Sequence, residues 1–291
     1  MMQEYKLNQI ECNNYIVSLP NVTKKSLSSD ESIFDTSCVK TVAHRGDSDD
    51  APENTLPAFE LASKNGYDFV ECDISWTSDD VPVLLHDSTI NRTIGESFVS
   101  GFMFPKYCSD MSYDEISKYD FGSWFSKQFA DTKIPTFDEM LDCCEQNGLN
   151  AYVEIKENSD FDVEKAQKLL NSVSERNLEN NITWISFNDD YLEIIKNLSN
   201  SARIGYLTES KINQSTIDVL DNLKTDENDV FLNIKSSKVK KEGVELLKDA
   251  GYDFESWTVN DIDELEKLFE LGCMGITTDT LSKEEVENFS Y

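Results

Sequence analysis

The sequence predicts an α/β fold, a TIM (β/α)8 barrel with a loop-rich subdomain inserted after the second strand region, on three observations. Short apolar runs alternate with longer amphipathic ones from about residue 41 onward, a pattern that produces parallel strands joined by crossover helices. The number of such units suits closure into an eight-stranded barrel. A chain of 291 residues with 39% hydrophobic content can bury a substantial core as one large domain.

Strands are expected over residues 41–44, 69–74, 83–86, 151–155, 182–186, 203–207, 230–234, 254–259 and 274–277. Helices are expected over 56–65, 136–147, 163–175, 190–198, 215–223, 238–250 and 261–270. Their punctuation agrees: Gly66, Gly148, Gly251 and Gly272 each follow a helical run, as C′ glycines do, and Asn260 or Asp261 can cap the helix that comes next. The aromatic-rich stretch from about 95 to 135 breaks this rhythm and is too long for an ordinary connection. It is expected to form an inserted subdomain over the barrel mouth. The division is therefore an extension of unknown role over 1–37 and a barrel domain over 38–291.

The charge balance, 26 Lys+Arg against 56 Asp+Glu, gives a net charge of −30, which argues against nucleic acid and anionic membrane surfaces as partners. Its simplest meaning is a solvated face. A protein this acidic that acts on a phosphate must build a local positive site from a divalent cation or from inward-pointing Lys and Arg. The seven cysteines are an odd number with no CxxC spacing, and Cys143 and Cys144 are adjacent, so reduced thiols and a reducing compartment are expected. No apolar run approaches membrane-spanning length and the N-terminus lacks a leader pattern. A cytoplasmic protein without stable membrane insertion is the expectation, and no motif specifies an oligomeric state.

Only two histidines occur, His44 and His86, each at the carboxyl end of an expected strand, where parallel barrels place their active sites. A lone histidine on a strand is more often structural; a pair with no other imidazole available favours catalysis. Glu71 and Asp73 are two apart in a strand and so share a face, with Cys72 on the other. Glu154 and Lys156 share a face in the same way. Any one of these acids alone reads as an exposed edge charge, but three near strand ends favour a hard cation, Mg²⁺ or Ca²⁺. Arg45 can fork two phosphate oxygens, Gly46 permits close backbone approach and Lys156 adds a point charge. Such a set suits an anionic phosphodiester.

These residues lie in an ordered series: His44-Arg45-Gly46, Pro52-Glu53-Asn54-Thr55, Ala58-Phe59, Val70-Glu71-Cys72-Asp73-Ile74, Thr77, Asp80-Val81-Pro82-Val83, His86-Asp87 and Asn91-Arg92-Thr93. It continues with Ile134-Pro135-Thr136-Phe137, Val153-Glu154-Ile155-Lys156, Ile185-Ser186-Phe187, Trp257-Thr258-Val259-Asn260 and Gly275-Ile276-Thr277-Thr278-Asp279. From about Val42 to the end the chain closely resembles glycerophosphodiester phosphodiesterases, a family of phosphoric diester hydrolases. The resemblance implies a TIM-type barrel, metal ligands at Glu71, Asp73 and Glu154, an acid and base at His44 and His86, and the family's insertion over about 95–135. Departures are small: Val81 stands where the family usually has Gly, and Ser48-Asp49-Asp50 varies the loop before Pro52. Residues 1–37 match nothing in the resemblance.

The implied reaction is metal-dependent hydrolysis of a small glycerophosphodiester to sn-glycerol 3-phosphate and an alcohol. One histidine activates the nucleophile, either water or the neighbouring glycerol hydroxyl, and the other protonates the leaving group. Trp257 is a candidate wall against the glycerol carbons, with core packing equally compatible. For Phe102, Phe104, Phe121, Trp124 and Phe125 of the insertion, packing is favoured over substrate contact. Two other readings compete: a phospholipase D-like enzyme on lipid headgroups, which needs an exposed apolar rim, and a catalytically silent barrel used as a binding module, which has no chemical need for the five polar residues.

Overall fold

Among the described residues, nine strands form one sheet: β1 (Lys40–Ala43), β2 (Phe69–Trp76), β3 (Pro82–Leu84), β4 (Asn150–Ile155), β5 (Ile182–Ser186), β6 (Arg203–Thr208), β7 (Val230–Lys235), β8 (Phe254–Trp257) and β9 (Gly275–Thr278). The structure is a computed structural model, and it describes residues 39–96, 104–156 and 160–288. The expected extension over 1–37 lies outside the described residues. Eight of the strands are parallel and close on themselves, because β1 pairs both with β9 (Val42↔Thr277) and with β2 (Val42↔Phe69). Closure leaves no free edge on the barrel. The chain is a TIM barrel.

One strand corrects the expectation of uniform parallel pairing. β3 runs antiparallel to β2 (Ile74↔Leu84, Trp76↔Pro82) and lies outside the barrel's ring. A tight turn allows this: Thr77 Oγ1 accepts from Val81 N at 2.9 Å, and Asp80 takes the left-handed conformation at φ 55°. The family's usual glycine is therefore not missed at Val81, which packs instead against the insertion.

The α-helices of the described residues are α1 (Leu56–Lys64), α2 (Tyr113–Ile116), α3 (Phe137–Asn147), α4 (Val163–Ser174), α5 (Asp189–Leu198), α6 (Gln214–Leu223), α7 (Lys241–Asp249), α8 (Ile262–Glu270) and α9 (Lys283–Glu287). α3 shows why these segments are helical. Thr136 and Glu139 form a reciprocal capping box, Gly148 ends the helix at φ 67°, and Phe137, Met140, Leu141 and Cys144 face the sheet. Burying a large side chain of this kind stabilises by roughly 1.5–3 kcal/mol. The short helices α2 and α9 were not expected; at 4 and 5 residues they are too brief for periodicity to reveal, although each carries a capping box. The helix expected from 238 begins only at Lys241, after a single 3-10 turn at Ser236–Lys238.

Three apolar layers result. Outward residues of the strands, Cys72 and Ile74 among them, pack on the helices. Val42, Tyr152, Ile185, Leu207 and Phe231 fill the barrel interior. A third cluster, Val83, Leu85, Ile90, Cys108, Ile116, Phe121 and Ile134, joins residues 104–135 to the β2–β3 hairpin. Of the insertion's aromatics, Phe121 is buried in this cluster, Trp124, Phe125 and Phe129 meet edge to face, and Phe104 is exposed. Phe102 lies outside the described residues.

Candidate active site

The site begins where β1 ends. His44 N donates to Thr278 O at 2.9 Å, continuing the β1–β9 ladder by one residue. The chain then turns sharply through Arg45 (φ 56°) and Gly46 (φ 80°). Gly46 is required twice over, since a Cβ there would adopt a disfavoured φ and would sit 2.7 Å from the Cβ of Ala58. This turn aims Arg45 N at Glu71 Oε2, 2.9 Å away. Arg45 is a non-glycine residue in the left-handed region, the kind of local strain that functional sites hold.

His86 reaches the same place by another route. It was expected at the carboxyl end of a barrel strand; instead it lies beyond the antiparallel strand β3, and Leu85 N still bonds Asp73 O at 3.0 Å. The hairpin climbs past the barrel rim and returns, bringing His86 back beside the carboxylates. His44, Arg45, Glu71, His86, Glu154, Lys156 and Trp257 all line one cavity of about 240 Å³ at the barrel mouth. Asp73 is fully buried directly behind it. Among the described residues, none of the insertion lines that cavity.

Both imidazoles are held by carboxylates. His44 Nδ1 is 2.6 Å from Asp279 Oδ1 and His86 Nδ1 is 2.9 Å from Asp87 Oδ1. With Nδ1 engaged, Nε2 is the ring nitrogen that each imidazole turns away from its carboxylate; that of His44 lies 3.9 Å from Glu71 Oε2. Asn260 fixes Asp279, its amide donating to Oδ2 at 2.8 Å while its oxygen accepts from Asp279 N at 2.8 Å. Burial pushes the Asp279 carboxyl up, but hydrogen bonds from His44 and Asn260 outweigh it and the net shift is downward. The bond to His86 and then Arg92 also hold Asp87 below the usual carboxylate range.

A chain of ion pairs runs from Arg45, next to His44, to Asp87, the partner of His86. Arg45 Nη1 donates to Glu53 at 2.9 Å, Arg92 forks Glu53 at 2.6 and 2.9 Å, and Arg92 Nε donates to Asp87 at 2.7 Å. Glu53 is lowered because both arginines more than offset its burial. The sequence assigned no role in the site to Glu53, Asn54, Asp87, Arg92, Asn260 or Asp279, although each stands in a quoted motif; Asn260 was expected only as a possible helix cap, a place that Asp261 takes.

Glu71, Asp73 and Glu154 each offer a carboxylate oxygen, all within 4.8 Å of one another. Inward spacing on adjacent strands produces this, with Asp73 paired to Glu154 across β2 and β4. Lys156 Nζ sits 2.7 Å from Asp73 Oδ1 and 2.9 Å from Glu154 Oε1. Asn54 brackets Asp73, donating to Oδ2 at 2.7 Å and accepting from its backbone N at 3.1 Å. Asp73 is thus held far below the usual range, since Lys156, Arg45 and His86 overcome its burial. Burial and the neighbouring carboxylates push Glu71 well up, and Glu154 to about 7. Glu71 Oε1 is buried without a hydrogen-bond partner. Three hard oxygen donors, one of them orphaned, and two acids reluctant to ionise together fit a divalent cation of the Mg²⁺ or Ca²⁺ kind.

Trp257 forms the opposite wall. Its ring meets Phe187 edge to face at 5.4 Å and its indole N–H donates to Asn233 O at 3.2 Å. Phe187, also quoted in a motif without a role, belongs to this wall.

Comparison with known proteins places the chain in a family. A profile of the glycerophosphoryl diester phosphodiesterase family matches residues 44–283. A glycerophosphodiester phosphodiesterase of Caldanaerobacter subterraneus subsp. tengcongensis is 31% identical over 242 residues, 82% of this chain and 93% of that protein. Mouse glycerophosphodiester phosphodiesterase 1 is 39% identical over 125 residues, 42% of this chain and 35% of its own length. A phosphodiesterase of Oleispira antarctica, solved with the product sn-glycerol 3-phosphate, superposes with a TM-score of 0.73 at 27% identity, covering 82% of this chain and 92% of that one. The chain belongs to the glycerophosphoryl diester phosphodiesterase family.

Proposed function

We propose that the protein hydrolyses glycerophosphodiesters to sn-glycerol 3-phosphate and an alcohol, with His44 and His86 as the acid–base pair and Glu71, Asp73 and Glu154 as ligands of Mg²⁺ or Ca²⁺. The observation that carries this reading is the meeting of two carboxylate-held imidazoles with three clustered buried acids, Glu71 and Glu154 in the same cavity and Asp73 directly behind it. When bound, the cation supplies Lewis-acid neutralisation of phosphate charge. Arg45 and Lys156 bind phosphate oxygens from the sides, and the Phe187–Trp257 wall holds the glycerol carbons. One imidazole takes the nucleophile's proton through Nε2; the other gives its proton to the departing alkoxide oxygen as the P–O bond breaks. The carboxylates on Nδ1 fix each tautomer and stabilise the imidazolium.

Residues 38–291 act as one unit with the insertion over about 95–135, and a cytoplasmic setting is proposed. Five described cysteines, Cys72, Cys108, Cys143, Cys144 and Cys273, are free and buried, and no helix of the described residues is long and apolar enough to cross a membrane.

The test is release of glycerol 3-phosphate from glycerophosphocholine and glycerophosphoethanolamine, with EDTA and metal add-back. Failure on every diester with metal restored would refute the activity; turnover untouched by thorough chelation would refute the metal role alone. His44→Ala and His86→Ala are each expected to lower kcat by about 10²–10⁴ with unchanged folding. On a glycerophosphate ester of nitrophenol, a leaving group that needs no proton, only the variant lacking the general acid is expected to recover.

A further inference from the structure

The cavity has two unlike halves. His44, Arg45, Glu71, Glu154 and Lys156 make one side charged, and Ile185, Phe187, Leu207 and Trp257 make the other apolar. Asn233 interrupts the apolar side. It points inward from β7, since Phe231 two residues before it belongs to the interior cluster. Its neighbours across the sheet are Leu207 and Glu255. It is 1% exposed, it lines the cavity, and its side-chain oxygen has no hydrogen-bond partner among the described residues. Its backbone oxygen is already engaged by Trp257, so the residue is pinned in place while its side-chain oxygen stays unpaired.

A buried carboxamide oxygen without a donor destabilises the free protein where leucine would pack without that penalty. The orphan acceptor needs a donor from a ligand. A phosphodiester is an ionised acceptor at neutral pH and the glycerol carbons donate nothing, whereas the free glycerol hydroxyls are neutral donors of the right reach. We infer that Asn233 is a specificity-determining residue: its side-chain oxygen accepts a hydrogen bond from a free hydroxyl of the glycerol moiety, selecting polyol phosphodiesters over diesters without that hydroxyl. This rests on the glycerophosphodiester reading above and names the group within the substrate that the apolar half recognises.

The experiment compares kcat/KM of the metal-loaded protein on glycerophosphocholine and on its 1-deoxy and 2-deoxy analogues. Wild type is expected to disfavour one analogue by about tenfold to a hundredfold, because the analogue leaves a buried acceptor unpaired. Asn233→Ala and Asn233→Leu are expected to lose about that factor on glycerophosphocholine and to hydrolyse the disfavoured analogue within about threefold of wild type. Asn233→Leu should also raise the Tm of the free protein, which a residue conserving structure alone would not do. The inference is overturned if wild type accepts both analogues as well as the parent. It is equally overturned if either folded variant keeps wild-type discrimination. Inactivity of wild type on every glycerophosphodiester would instead refute the function reading beneath it.

Discussion

A histidine transfers protons well only if its ring is held and its tautomer fixed, and under the proposed mechanism that work falls to residues outside the obvious set. Asp279→Asn keeps the shape of the side chain but presents an amide to His44 Nδ1, 2.6 Å away, and leaves the wrong tautomer free to form. The expected result is a fall in kcat of about 10²–10⁴ with KM and Tm little changed. Steady-state kinetics with circular dichroism checks it, and a variant within twofold of wild type would remove Asp279 from the machinery. The sequence pointed to the imidazoles because histidine is scarce and its chemistry is conspicuous. It was silent on Asp279, Asp87 and Glu53, because an acid that holds another side chain looks in sequence like any other of the chain's 56 acidic residues. Only the fold says which of them sits 235 positions away from its histidine.

At the scale of elements, periodicity located the strands well, with β5 matching at both ends and the other strands differing by one to a few residues. It misjudged direction for β3, since the apolar run of residues 82–85 reads the same whichever way the strand runs. That hairpin nevertheless carries His86 to the site, so the expected residue arrives by an unexpected path. Packing between elements was also unreadable. Gly205 on β6 faces the ring of Phe231 on β7, and a Cβ there would stand 2.6 Å from Phe231 Cζ and 3.0 Å from Ile185 Cγ2. Gly205→Ala therefore forces the interior cluster apart, and a loss of about 1–3 kcal/mol is expected in urea unfolding. Because Phe231 lies under Asn233, the same change should raise KM more than it lowers kcat. An unaltered midpoint would mean the ring rotates aside freely.

At the scale of the molecule, a chain of net charge −30 keeps some of its cations inside the barrel. Arg45 and Lys156 serve the mouth, and a second set closes the opposite end. Glu255 there meets Lys40 Nζ at 3.1 Å, Arg203 Nη2 at 3.1 Å and the Tyr152 hydroxyl at 2.8 Å. Arg203 also lies 4.6 Å over the Phe231 ring, joining this polar plug to the apolar layer above. Burial alone would raise the Glu255 carboxyl, but Lys40, Arg203 and Tyr152 more than offset it, so in the folded state it lies below its ordinary 4.5. The unfolded chain then takes up this proton first as pH falls. The contribution of the carboxylate is complete above pH 4.5 and is lost as pH drops toward the folded value. Glu255→Gln leaves Lys40 and Arg203 facing a neutral group, and breaking a buried pair in this way costs about 3–5 kcal/mol at neutral pH. The variant should therefore unfold well below wild type at pH 7, and the gap should narrow steadily as pH is lowered beneath 4.5. A gap of constant size from pH 7 down to pH 3 would show that Glu255 contributes shape and not charge to the base of the barrel.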